Sequence, residues 1–84
     1  MELPKDLVSH PGEMLREILE GLEISPVDLA NKTGFDIAYI SMVLVCLSDI
    51  TNEFANKLEE VLGVSKDFWI SLQNDYNKFK DLEN

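Results

Sequence analysis

The sequence predicts an all-α domain of five short helices and no sheet. Three observations carry this. Apolar residues recur at i, i+3, i+4 and i+7 in successive segments, each segment opens on a helix-starting residue, and no alternating run exists to form paired strands. With 84 residues and 45% apolar content, the chain holds one small ordered domain, near the size at which a single core suffices. Its organisation reads as a leader over residues 1–9, a helical domain over residues 10–80 and a frayed tail over residues 81–84.

The leader contains Pro4 and lacks helical periodicity, and it has no apolar run of the kind a signal peptide needs. The first helix begins at His10-Pro11-Gly12-Glu13. Proline suits a first turn whose N–H would be unpaired anyway, and Glu13 favours the positive end of the helix dipole. Met14, Leu15, Ile18, Leu19 and Leu22 then give one apolar stripe, with Gly21 near the end and Glu23-Ile24 leading out.

Ser25 caps the second helix, Pro26 takes its first position, and Asp28 completes a pattern like the capping box. Leu29 and Ala30 face inward, and Ala30 is expected to be small because another helix approaches there. Gly34 ends this helix, where a left-handed backbone angle suits glycine. Phe35 fills the turn and Asp36 caps a third helix over residues 37–47. Ile40, Val43, Leu44 and Leu47 form its core stripe. Its remaining positions, Ile37, Ala38, Ser41, Met42 and Val45, are also nearly all apolar, a pattern normally found in a helix buried on every side.

Ser48-Asp49-Ile50 makes the next turn. Thr51 caps a fourth helix, with Glu53 in its first turn, Phe54, Ala55, Leu58, Val61 and Leu62 inward, and Gly63 at its end. Ser65 caps the fifth. Trp69, Leu72, Tyr76 and Phe79 line one aromatic-rich stripe of this helix, read as core plus a dimer seam.

Composition narrows the chemistry. The net charge is −9, and none of the seven basic residues falls between Thr33 and Asn56. Phosphate affinity needs clustered Lys and Arg, so a basic protein surface is a better match for this chain than nucleic acid. Cys46 is the single cysteine, which excludes an internal disulfide and a cysteine-based metal cage. It reads as a small apolar residue late in a helix. His10 reads as structural at a helix start, and Glu59-Glu60 as solvated surface. No Ser/His/Asp or Cys/His set, phosphate loop or metal-ligand cluster is present, so no catalytic residue, cofactor, metal or small-molecule substrate is expected. No uncharged stretch approaches the ~20 residues of a membrane span, and a soluble cytoplasmic protein is expected.

Residues 25–47 form helix, tight turn, helix, which is the unit that lays its second helix in the major groove of DNA. The run SPVDLANKTGFDIAYISMVL resembles the helix-turn-helix of the Xre/Cro superfamily, with Leu29-Ala30, Gly34 and Ile40 at its characteristic positions. HPGEMLREILEGLEIS resembles the opening of HigA-type (VapI-like) antitoxins, and GVSKDFWISLQNDYNKFK resembles their ending. The resemblance spans roughly residues 10–80. It implies a compact five-helix, lambda-repressor-like domain that dimerises, sequesters a small basic toxin of the RelE/HigB type and represses its own operon from a palindromic operator. Carried onto this chain, the DNA-contacting positions are Ser25, Lys32, Asp36, Ile37, Ala38, Tyr39, Ser41 and Met42.

The departures from that pattern bear on function. Pro26 stands where relatives usually carry a glutamine that helps hold a phosphate. The base-facing positions are apolar apart from Ser41, and Asp36 would meet phosphate oxygens. The donor-rich turn after the recognition helix is replaced by Val45-Cys46-Leu47-Ser48-Asp49. Base readout needs donors and acceptors in fixed pairs, and one serine cannot supply a code. Three readings of the helix follow. It is a protein-binding face built on Ile37, Met42, Val45 and Leu47, or a DNA helix using apolar contacts to thymine methyls, or a face covered by its own dimer mate. The leading expectation is an antitoxin-like regulator acting mainly through a protein partner. The alternatives are a dimeric repressor of its own operon and a decoy that heterodimerises with a related regulator.

Overall fold

The computed structural model describes the backbone of residues 10–83 and the side chains of residues 10–80. The leader, residues 1–9, lies outside the described residues, as do the side chains at residues 81–84. Five helices follow in order: α1 (Pro11–Leu22), α2 (Pro26–Thr33), α3 (Ile37–Leu44), α4 (Asn52–Leu62) and α5 (Lys66–Glu83), with no strand among the described residues.

The helix starts are set by short-range capping. His10 Nδ1, Ser25 Oγ, Asp36 Oδ1, Thr51 Oγ1 and Ser65 Oγ each accept a backbone N–H two or three residues ahead. Each bond satisfies one of the donors that a helix leaves unpaired, at about 1 kcal/mol per cap. Glu59 adds a long-range cap by accepting the Lys66 N–H at 2.8 Å.

Leu15 and Leu19 of α1, Leu29 of α2, Ile40, Val43 and Leu44 of α3, Phe54, Ala55 and Leu58 of α4, and Trp69 of α5 close over one core. Within it α1 packs on α3 and α5, α2 on α3 and α4, and α4 on α5. Phe35, Tyr39 and Phe54 form an aromatic triangle, with centroids 4.9 to 5.6 Å apart, that joins the helix-turn-helix to α4.

Three sequence expectations are corrected. The third helix stops at Leu44 instead of Leu47, because Cys46 adopts a left-handed conformation (φ 66°) and the Leu47 N–H folds back onto the Met42 carbonyl at 2.8 Å. This is a Schellman-type ending that usually takes glycine. Leu47 therefore leaves the core stripe and is 69% exposed, while Ile50, read as a turn residue, is buried in its place. One close helix approach is at Gly12, where a Cβ would fall on the Val43 carbonyl oxygen; Ala30 is half-buried against the core. Trp69 is 0% exposed and offers no surface to a dimer seam. Its indole N–H also has no hydrogen-bond partner among the described residues.

Candidate functional site

The helix-turn-helix is held by short-range hydrogen bonds. Thr33, buried in the last turn of α2, donates its hydroxyl to the Leu29 carbonyl at 2.8 Å and accepts the Phe35 N–H at 3.3 Å. Gly34 turns the chain with φ 77°, a backbone state that costs glycine least. Asp36 then accepts the Ala38 N–H at 2.8 Å, which holds a carboxylate over the start of α3.

Along α3 the inward residues are Ile40, Val43 and Leu44, while Ile37, Ala38, Ser41 and Met42 lie exposed. Ile37 is 40% and Met42 41% exposed, and the helix exit adds Val45 at 60% and Leu47 at 69%. The segment between Asp36 and Asp49 carries no charge, so an uncharged, largely apolar surface lies between two acids. Tyr39 differs from the other positions assigned by resemblance. Its ring is half-buried on Phe35 and Phe54, and its hydroxyl donates to the Asp49 carbonyl at 2.6 Å. It is committed to holding the following loop.

The two α2 positions lie at opposite ends of that helix, roughly 10 Å apart by helical rise. Ser25 spends its Oγ on the Asp28 N–H, and Lys32 is exposed in the last turn. Of the positions assigned to a dimer seam, Leu72, Tyr76 and Phe79 are half-buried on α5, and Trp69 is enclosed.

Sequence reasoning missed the residues that shape the loop at 45–51. Gln73 of α5 is nearly buried, and its Oε1 accepts the Ile50 N–H at 2.9 Å while its Nε2 donates to Asn77. The Tyr39 hydroxyl also accepts the Thr51 N–H at 3.4 Å. His10 approaches from α1, with Nε2 4.0 Å from Asp49 Oδ1. Burial pulls the His10 pKa below the ordinary histidine value, against Asp49 and Glu13, which raise it, while Lys80 also lowers it. Burial pushes the Cys46 thiol up. The signal for Gln73 lies in the GVSKDFWISLQNDYNKFK segment, where it follows Trp69 by four residues and so shares its face of α5.

A groove of about 430 Å³ runs between Phe35 and the outer face of α4, lined by Glu53, Asn56, Lys57, Glu59 and Glu60. Lys57 there pairs with Glu60 at 3.4 Å. Among the described residues, no group of His, Cys, Asp or Glu could hold a metal ion, and no helix is long and apolar enough to cross a membrane.

No family model matches the chain. An uncharacterised helix-turn-helix transcriptional regulator of Escherichia coli, YddM, is 31% identical over 68 residues, which cover 81% of this chain and 72% of that protein. An addiction-module antidote protein of the HigA family from Coxiella burnetii superposes with a TM-score of 0.86 at 30% identity, covering 90% of this chain and 84% of the other. The Pseudomonas aeruginosa antitoxin HigA, solved with the higBA promoter, superposes at 0.84 with 29% identity, covering 88% and 82%. Five capped helices, a glycine turn before α3 and relatives of this kind lead to one assignment: the chain belongs to the HigA antitoxin family of helix-turn-helix transcriptional regulators.

Proposed function

We propose that this HigA-type regulator works mainly by holding a protein partner on the outward face of α3 and its exit. The observation that carries the reading is the uncharged surface of Ile37, Met42, Val45 and Leu47, exposed between Asp36 and Asp49. Contiguous apolar surface rimmed by charge marks protein contact sites. The rim is acidic and the chain carries −9, so the matching partner has an apolar centre and a basic rim, as a small basic toxin would. Such a pair associates in a salt-sensitive way. The protein acts in the cytoplasm, without catalysis of its own, and a homodimer would use Leu72, Tyr76 and Phe79.

A second reading, operator binding, is supported by the P. aeruginosa HigA structure containing promoter DNA on the same fold. Here Ser41 would meet base edges, Ile37, Ala38 and Met42 would meet thymine methyls, and Ser25 and Lys32 would meet phosphates. A salt titration on the chain's own upstream DNA separates the two. A steep salt slope with sequence preference supports the repressor, while no binding at low salt supports the protein partner.

The decisive variant joins Met42→Arg to Val45→Asn. Both sites are exposed, so folding should change by less than about 0.5 kcal/mol. Affinity for a small basic toxin of the RelE/HigB type should drop at least about tenfold. Unchanged affinity would move the working surface elsewhere. Mixing with a related regulator and watching for operator release tests the decoy alternative.

A further inference from the structure

His10 stands where three elements meet. It is 5% exposed, and its Nδ1 accepts the Gly12 N–H at 2.9 Å. Its Nε2 lies 4.0 Å from Asp49 Oδ1, and its ring meets the edge of Tyr76 with centroids 4.7 Å apart. The cap fixes the tautomer. Nδ1 must be bare to accept, so the neutral ring carries its proton on Nε2, toward Asp49.

A second proton can go only onto Nδ1, the atom that the Gly12 N–H already occupies. Two donors then face each other and the cap is lost. The turn affected is the one whose Gly12 backbone packs on the Val43 carbonyl, directly before the left-handed exit of α3. The imidazolium would be drawn instead to Asp49, an exposed loop residue.

We propose that His10 is a pH-operated latch between the start of α1 and the exit of α3. Neutral, it caps α1 and holds the Gly12 turn against the Val43 carbonyl. Protonated, it turns to Asp49, drops the Gly12 N–H and loosens that seat, from which the chain leads on to Val45 and Leu47. For its functional consequence the latch rests on the α3 docking face proposed above, although the latch itself belongs to the free protein.

The charged and titratable groups facing His10 are Glu13 on α1, Asp49 in the loop, and Tyr76 and Lys80 on α5. Burial and Lys80 favour the neutral ring, Asp49 and Glu13 favour the charged one, and burial wins. The native protein thus takes up the proton at lower pH than the unfolded chain. The latch contributes fully above about pH 6.5 and is lost as pH falls through the native pKa.

The test is an NMR titration of the whole chain, following the His10 ring and the protection factors of the amides of Gly12, Cys46 and Leu47. The ring should titrate below 6.5, the ordinary histidine value, and protection should fall roughly fivefold through the same midpoint, the scale of a lost cap. His10→Asn keeps an acceptor at the cap but cannot titrate, so the transition should vanish. Asp49→Asn removes the carboxylate facing Nε2 and should move the midpoint lower. It leaves the residue 49 carbonyl to Tyr39. A ring midpoint at or above 6.5, protection that stays flat through the titration, or a transition that survives in His10→Asn overturns the latch. None of these readouts needs a partner. Failure here leaves the docking face standing, and a failed Met42→Arg, Val45→Asn experiment leaves the latch standing.

Discussion

Gly12→Ala and Gly21→Ala place the same methyl group in the same helix and should change stability in opposite directions. Both glycines lie within α1, where alanine is favoured over glycine by about 0.8–1 kcal/mol. At Gly21 nothing lies within 4 Å of the added Cβ, so the gain should appear almost whole. At Gly12 the Cβ would land on the Val43 carbonyl oxygen and stand 3.0 Å from His10 Nδ1. Carbonyl oxygen is backbone and cannot rotate away, so α1 must lift from α3 and the His10 cap must distort. Overpacking of this kind costs typically about 1–3 kcal/mol and sometimes more, and the disturbed cap adds about 1 kcal/mol. Against the propensity gain, a net loss of roughly 1–3 kcal/mol remains. In a domain of this length each kcal/mol is worth about 4–8 °C. Thermal unfolding by circular dichroism should therefore put Gly12→Ala at least about 4 °C below the parent and Gly21→Ala a few degrees above it. Equal shifts of the same sign would refute the α1–α3 contact as described.

Three more outcomes follow from the same contacts. Glu23 closes α1 with φ 58°, so Glu23→Gly should relieve the left-handed strain and raise stability by about 0.5–1 kcal/mol, read as a shifted urea midpoint. Gln73→Leu keeps the volume but leaves the buried Ile50 N–H unpaired. It should cost about 1–3 kcal/mol and speed exchange of that amide in particular. Urea midpoints across pH should fall on acidification from about pH 6.5, because His10 is held neutral in the fold. The decline attributable to that group should be absent in His10→Asn.

The helix starts and the turn before α3 were legible because their signals are local. A cap bonds two or three residues ahead, and the apolar period repeats every turn, so both are written in neighbouring letters. The glycine at position 34 announced its own left-handed turn. Cys46 and Glu23 did not, since each adopts that conformation without the residue type that advertises it. The end of α3 was consequently placed three residues too late.

The sequence by itself determined five helices, their order, the acidic charge and the family, all of which depend on short spacing or on composition. Tertiary structure alone decided that Leu47 faces solvent while Ile50 fills the core, that Gly12 sits against the Val43 carbonyl, and that Gln73 holds a loop 23 residues away. Leucine and isoleucine are nearly the same letter to a hydrophobic pattern. Which of them is buried depends on where distant segments meet, and that is fixed by packing the whole chain at once.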